Sequence, residues 1–253
     1  VYGILRINYG LMPDGVYWFS SALAVLGLIN VIWGGLCALA QTDLKKLVAY
    51  SSVNHMGYSL IGMAAIVAAG EANGMNLKAA QAGLGGAVFQ MFNHGTISAM
   101  LFILVGVIYD RAHHRDIEGF GGLAAQMPIY TGITAVAFFA GLGLPGFSGF
   151  ISEAMCFIGA FPVYKGIVIA STIGILLNAA YFLWAFQRIF FGELNEKYTD
   201  LPEINRLELF TVVPLLVITI FFGIYPAPYL DIIASTMDVI IDHVVTLATF
   251  ASM

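Results

Sequence analysis

Apolar residues run along this chain in long blocks separated by short polar stretches, and most blocks are long enough to cross a ~30 Å hydrocarbon core as a helix. A short apolar end, 1–7, leads through 8–15, with its Pro13-Asp14-Gly15 turn signal, to a first span over about 17–39. Thr42 and Asp43 stand where either could cap a second span over 44–69. A polar loop is predicted over 70–78 and a third span over 81–109. Asp110-Arg111-Ala112-His113-His114-Arg115-Asp116 then forms a connector that belongs in water or at the interface, with both histidines read as surface residues.

Between 129 and 161 the apolar pattern is interrupted by Gly141-Leu142-Gly143-Leu144-Pro145-Gly146. Proline removes a helix donor and the glycines loosen the backbone, so two half-helices are expected. Irregular backbone at membrane depth survives only inside protein or beside a hydrated cavity, which makes the break a pointer to function. A fifth span covers 166–191, a charged loop 192–208, and a sixth span 209–225. Beyond Pro226 and Pro228, the segment 229–250 carries Asp231, Asp238, Asp242 and His243 among apolar residues, a pattern that suits an interfacial amphipathic helix better than a span. The expected fold is an all-α polytopic membrane protein forming a single transmembrane domain over 1–253. It has about six full transmembrane helices, one of them broken, with a partial helix before them and an interfacial helix after.

Composition sharpens this picture. Of 253 residues, 60% are hydrophobic and 10% charged, against about 25% charged in an average soluble domain, so an aqueous surface cannot be built. The net charge of −5 comes with no basic cluster, which argues against nucleic acid and against a polybasic lipid-binding tail; the lipid bilayer is the surrounding medium. Lys45, Lys46, Arg111, Arg115, Arg188, Lys197 and Arg206 fall on one side of the alternating connections and only Arg6, Lys78 and Lys165 on the other. The first side should be cytoplasmic, or its equivalent in an organelle. Cys37 and Cys156 sit inside apolar runs without CxxC spacing and read as buried thiols, not as disulfide, zinc or iron–sulfur ligands. Gly34-Gly35 and Gly85-Gly86 suit close helix packing, and no lysine–serine pair follows them to make a phosphate loop. With Val1 opening on a helix already under way and no signal peptide before it, the chain is expected to be the C-terminal part of a longer protein, or the ordered part of one.

An ionisable side chain at mid-membrane costs several kcal/mol unless neutralised, paired or hydrated, and by default marks an ion path or proton relay. Glu153 follows the helix break by one to two turns, while His94 and His55 lie near the middle of their spans. Either histidine alone could be a neutral packing residue hydrogen-bonded to a neighbouring helix. Two of them at the depth of a glutamate, beside a broken helix, favour the relay. Desolvation raises the pKa of a carboxyl and lowers that of an imidazole or ammonium, bringing all such groups toward the range where protons hop at neutral pH. Lys45, with Lys46, is a further candidate, its plain alternative being a lysine that snorkels from a helix end.

The stretch 40–58, Ala-Gln-Thr-Asp-Leu-Lys-Lys-Leu-Val-Ala-Tyr-Ser-Ser-Val-Asn-His-Met-Gly-Tyr, closely resembles the signature of the antiporter-like subunits of complex I (NADH:quinone oxidoreductase) and of Mrp-type cation/proton antiporters. Phe92-Asn93-His94-Gly95-Thr96-Ile97-Ser98, Tyr109-Asp110-Arg111-Ala112-His113 and Gly143-Leu144-Pro145-Gly146 through Glu153 continue the likeness in the family's order, over essentially the whole chain. L-type, N-type and Mrp proteins usually place a lysine four residues after the histidine matching His94; here that position is Ser98, so the chain is most similar to the M-type (NuoM-like) subunit. The resemblance implies the second half of a fourteen-helix inverted-repeat fold, with His55, His94 and Glu153 matching the family's intramembrane proton path. It implies a proton-translocating subunit with no redox centre, its flavin, iron–sulfur clusters, NADH and quinone held by partner subunits. Partners would be other complex I membrane subunits, including the missing N-terminal half and neighbouring antiporter-like subunits. The location would be a bacterial cytoplasmic or organellar inner membrane. A cation/proton antiporter or membrane-bound hydrogenase subunit, and a structural scaffold without transport, remain as alternatives.

Overall fold

The structure, a computed structural model, describes residues 1–70 and 77–251. The expected polar loop at 70–78 lies largely outside the described residues. Among these residues there is no strand beyond an isolated antiparallel bridge between Asp43 and Asp116. Seven longer helices follow a helical N-terminal segment that contains a π-turn at Ile4–Asn8. They are α1 (Pro13–Leu39), α2 (Leu44–Ala64, prolonged by a 3-10 segment, Ala65–Gly70), α3 (Leu77–Ala112), α4 (Pro128–Leu142), α5 (Ser148–Phe190), α6 (Arg206–Ile224) and α7 (Ala227–Ala251). Among the described residues five stretches are long and apolar enough to cross a membrane: Pro13–Leu39, Leu44–Ala69, Leu77–Ala112, Ser148–Phe190 and Arg206–Ile224. This is an integral, multi-pass membrane protein.

Pro13 opens α1 where a turn was predicted, and the reason is local. At the first helical position the missing proline N–H would have no intrahelical partner anyway, and its fixed φ suits the helix. Asp43 rather than Thr42 caps α2, its carboxylate accepting from the Lys46 amide at 3.1 Å. The break falls where glycine and proline put it. The α4 helix ends at Gly143, whose φ of +79° needs no Cβ, and α5 begins again at Ser148.

The second half of the broken fourth span and the fifth span follow one another in α5 and meet at a kink, where the two spans were expected to separate. Pro162 lies inside α5, and Tyr164 leaves helical geometry at φ −115°, ψ 43°. Along the first leg Gly149 lies against Ala140 and Ile97, and Gly159 against Gly83 near the start of α3. Beyond the kink the Tyr164 hydroxyl donates to Ser20 on the first turns of α1, Gly174 meets Val31 and Tyr58, and Arg188 pairs with Glu118. The chain therefore reverses at Tyr164 and returns to the other end of the bundle.

That other end is tied by charge. Arg111 donates to both carboxylate oxygens of Glu208 at 2.9 and 2.8 Å and to the carbonyls of Pro202 and Glu203. Glu203 in turn accepts from the first amides of α4, those of Ile129 and Tyr130, and Arg115 pairs with Asp43. In the connector His113 is exposed as expected, but His114 is not a free surface residue. Its ring stacks on Phe120 and hydrogen-bonds the Tyr198 hydroxyl. Burial and the neighbouring Asp116 raise the pKa of that phenol.

α6 and α7 are joined through Tyr225 and Pro226. Gly223 brings α6 against the backbone of Gly146 and Phe147 in the break. α7 packs along α3, with Tyr229 stacked on Phe89 and Gln81 donating to Asp238. It is two-faced: Met237, Ile241 and Val244 are buried, whereas Asp231, Asp238, Asp242 and His243 are exposed.

Along α2 and α3, one apolar cluster includes Leu47, Val48, Leu101 and Leu104. A second includes Met63, Ile66, Ala80 and Leu84. Between them lies a polar layer.

Candidate functional site

That layer is built by three helices that glycine lets approach closely. A Cβ on Gly86 of α3 would stand 2.7 Å from the Met155 Cβ and 2.8 Å from the Cys156 amide nitrogen of α5. A Cβ on Gly62 of α2 would stand 2.7 Å from the Cys156 sulfur and from the Gly83 carbonyl. Only residues without side chains fit there, as in close transmembrane packing generally. One turn beyond Gly86, short polar side chains of α2, α3 and α5 therefore meet directly.

Glu153 is at the centre, 6% exposed. Its Oε1 lies 2.9 Å from Nδ1 of His55, which is equally buried, and the Gln90 amide donates to the same oxygen at 3.2 Å. Its Oε2 faces the helix break, where a Cβ on Gly143 would come within 3.1 Å. The His94 ring centroid lies 5.6 Å from that of His55, and Ser98, one turn on, lies within hydrogen-bond distance of the His94 ring. A cavity of about 10 Å³ is lined by Ser51, His55, His94, Ser98, Gly141 and Glu153. It has room for about one water and ample polar partners for it.

The structure thus brings together His55, His94 and Glu153, and leaves Lys45 apart. Lys45 is exposed near the start of α2, and ten residues of helix put it roughly 15 Å along the axis from His55. Buried residues that the sequence reading passed over complete the layer. Asn93 donates to the Ser148 carbonyl at 2.9 Å and to the Ser152 hydroxyl at 3.0 Å, and Ser152 donates to Gln90 Oε1. Their signal was present as a helical stripe, Gln90-Asn93-His94 on α3 and Ser148-Ser152 on α5. Further polar atoms in and around the layer, Asn93 Oδ1, Ser148 Oγ, Asn54 Oδ1 and the Tyr58 hydroxyl among them, are buried without a protein hydrogen bond. Buried polar groups of this kind are ordinarily satisfied by ordered water.

Chemically, the arrangement can pass a proton. A carboxylate in contact with one ring nitrogen of an imidazole, a second imidazole close by and space for a water between them form a chain of groups that each accept and release protons.

Residues 1–178 match the model of a family described as NADH:quinone oxidoreductase/Mrp antiporter, TM. NADH-quinone oxidoreductase subunit M of Rhodobacter capsulatus is 39% identical over 237 residues, covering 93% of this chain and 44% of the relative. F(420)H(2) dehydrogenase subunit M of Methanosarcina mazei is 36% identical over 242 residues, covering 95% and 46%. The chain spans about half the length of the curated relatives it matches. In fold it is similar to a chain of respiratory complex I from Thermus thermophilus, with a TM-score of 0.86 at 23% identity over 96% of this chain and 49% of that one. It is also similar to a chain of the Mrp complex from a Dietzia species, with a TM-score of 0.79 at 20% identity over 96% and 52%.

Proposed function

Because the chain belongs to the NADH:quinone oxidoreductase/Mrp antiporter transmembrane family, we propose that it forms half of a proton-translocating subunit in the membrane arm of a complex I. Electron transfer from NADH to quinone takes place in partner subunits and drives proton pumping through this one. The observation that carries this reading is the buried His55–Glu153 contact beside the helix break, with His94 across a water-sized cavity. A proton delivered from the His94 side to the far ring nitrogen of His55 releases the Nδ1 proton to Glu153 Oε1. The carboxyl then passes it onward at the break. Lys45, exposed and about 15 Å along the helix axis from His55, is left out of this relay.

This chain contributes no redox centre; flavin, iron–sulfur clusters, NADH and quinone belong to partners, since no sequence motif here would hold them. The partners are the companion half of the antiporter-like unit and neighbouring membrane subunits. The basic end carrying Arg111, Arg115 and Arg188 faces the cytoplasm or matrix. The helix at 229–250 sets its acidic face toward the membrane interface. The test is Glu153→Gln in the full-length protein within its complex. The amide keeps size and hydrogen bonding but cannot titrate, so proton pumping per electron in proteoliposomes should fall severely while assembly survives. A wild-type ratio overturns the reading.

A further inference from the structure

Gln90 sits 2% exposed between Glu153 and Ser152, with both ends of its amide engaged. Nε2 donates to Glu153 Oε1 at 3.2 Å, on the same oxygen that His55 approaches at 2.9 Å. Oε1 accepts from the Ser152 hydroxyl. The amide orientation follows from this network. Asn93 donates into the Ser152 oxygen at 3.0 Å, and the Ser152 hydroxyl has Gln90 Oε1 as its side-chain acceptor, with the Gly149 and Ser148 carbonyls also in reach. An amide held by its oxygen in this way must turn its NH₂ toward the carboxylate. Reversed, it would set its carbonyl oxygen against the Glu153 carboxylate and lose that bond, keeping only a contact to the Ser152 oxygen.

We propose that Gln90 is a positioning residue for proton transfer, an inference that rests on the relay reading of Glu153. Its amide, engaged by Ser152, holds the Glu153 carboxylate against His55. Two features separate this from packing. A glutamine used only to fill space in an apolar interior is better replaced by leucine, whose burial leaves nothing unsatisfied. Here leucine would take one of two partners from a buried carboxylate, and the Ser152 hydroxyl would fall back on backbone carbonyls of its own helix. The lock also spans two helices, so Gln90 couples the position of α3 to the first leg of α5 at the residue on which the relay turns.

The test uses the full-length protein in its membrane complex and reads proton pumping against pH. A donor to a carboxylate favours the charged form, so its loss in Gln90→Leu should move the pH midpoint of pumping upward by about one unit, a tenfold change in proton affinity. Ser152→Ala keeps the amide but frees it to turn, and should move the midpoint the same way by about threefold in proton affinity. If Gln90→Leu fails to assemble, Ser152→Ala decides. A packing role would lower the yield of complex and leave both midpoints in place, and that result overturns the inference. Glu153→Gln separates the two layers of argument. If it abolishes pumping while both midpoints stay at the wild-type value, only the role of Gln90 falls; if it pumps normally, the relay reading falls with it.

Discussion

Gly143 faces Glu153 from the broken end of α4, and two constraints meet there: a φ of +79° and 3.1 Å between the place of a Cβ and Oε2. An L-side chain in that backbone region costs about 1–2 kcal/mol, and the extra carbon would also press on the carboxylate. Gly143→Ala is therefore expected to lower both the thermal midpoint of the assembled protein and its pumping rate. Thermal scans and proteoliposome assays on the same preparation check this; normal pumping in a destabilised variant would place Oε2 away from the working path. At this scale much could be read beforehand. Glu153, His55 and His94 stood out because ionisable groups are rare at membrane depth, whereas Gln90, Asn93 and Ser152 carry no charge and blend into helices of ordinary polarity. Lys45 shared the motif of His55 without sharing its place, because a helix rises along its axis and carries residues ten apart to different depths.

Helix against helix, the bundle depends on surfaces made flat by glycine. Gly86 on α3 touches the backbone of α5 near Cys156, and Gly62 on α2 touches both neighbours. Gly86→Leu forces a backbone shift that side-chain rotation cannot relieve, at a cost of about 1–3 kcal/mol by overpacking. The same shift separates Gln90 from Ser152, so the variant should lose pumping in greater proportion than stability, which thermal scans and pumping assays measure together. Helix ends were read less evenly. Asp43 and the break at Gly143 follow from local chemistry, a carboxylate accepting a free amide and a glycine taking a left-handed turn. The reversal at Tyr164 falls in the gap expected between the spans over 129–161 and 166–191, but its angle does not follow, since Pro162 alone predicts a kink and not its angle. That angle is set where Tyr164 reaches Ser20 and Gly174 makes room for Val31 and Tyr58.

Across the whole molecule the charges segregate. Arg111, Arg115 and Arg188 are bound at one end by Glu208, Asp43 and Glu118, and Lys197 lies in the loop between α5 and α6 at that same end. With that end on the cytoplasmic or matrix side, Lys197→Cys should react with a membrane-impermeant thiol reagent only when it is added from that side. Labelling from the opposite side would invert the topology and with it the direction assigned to the relay.

Periodicity and composition by themselves determined that this chain spans a membrane, roughly where each span lies, where one is broken and which ionisable residues fall within the apolar helices. These follow because bilayer thickness dictates helix length and because backbone breaks and buried charge are costly wherever the chain goes next. Only the tertiary structure decided that Glu153 touches His55 and Gln90, that His94 stands across a space for one water, and that Lys45 stays outside. Those outcomes depend on helix rotation and on contacts between residues far apart in sequence, such as Gly86 with Met155 or Gly62 with Gly83, where the absence of a side chain lets two backbones meet and so fixes which polar atoms lie within a hydrogen bond of one another.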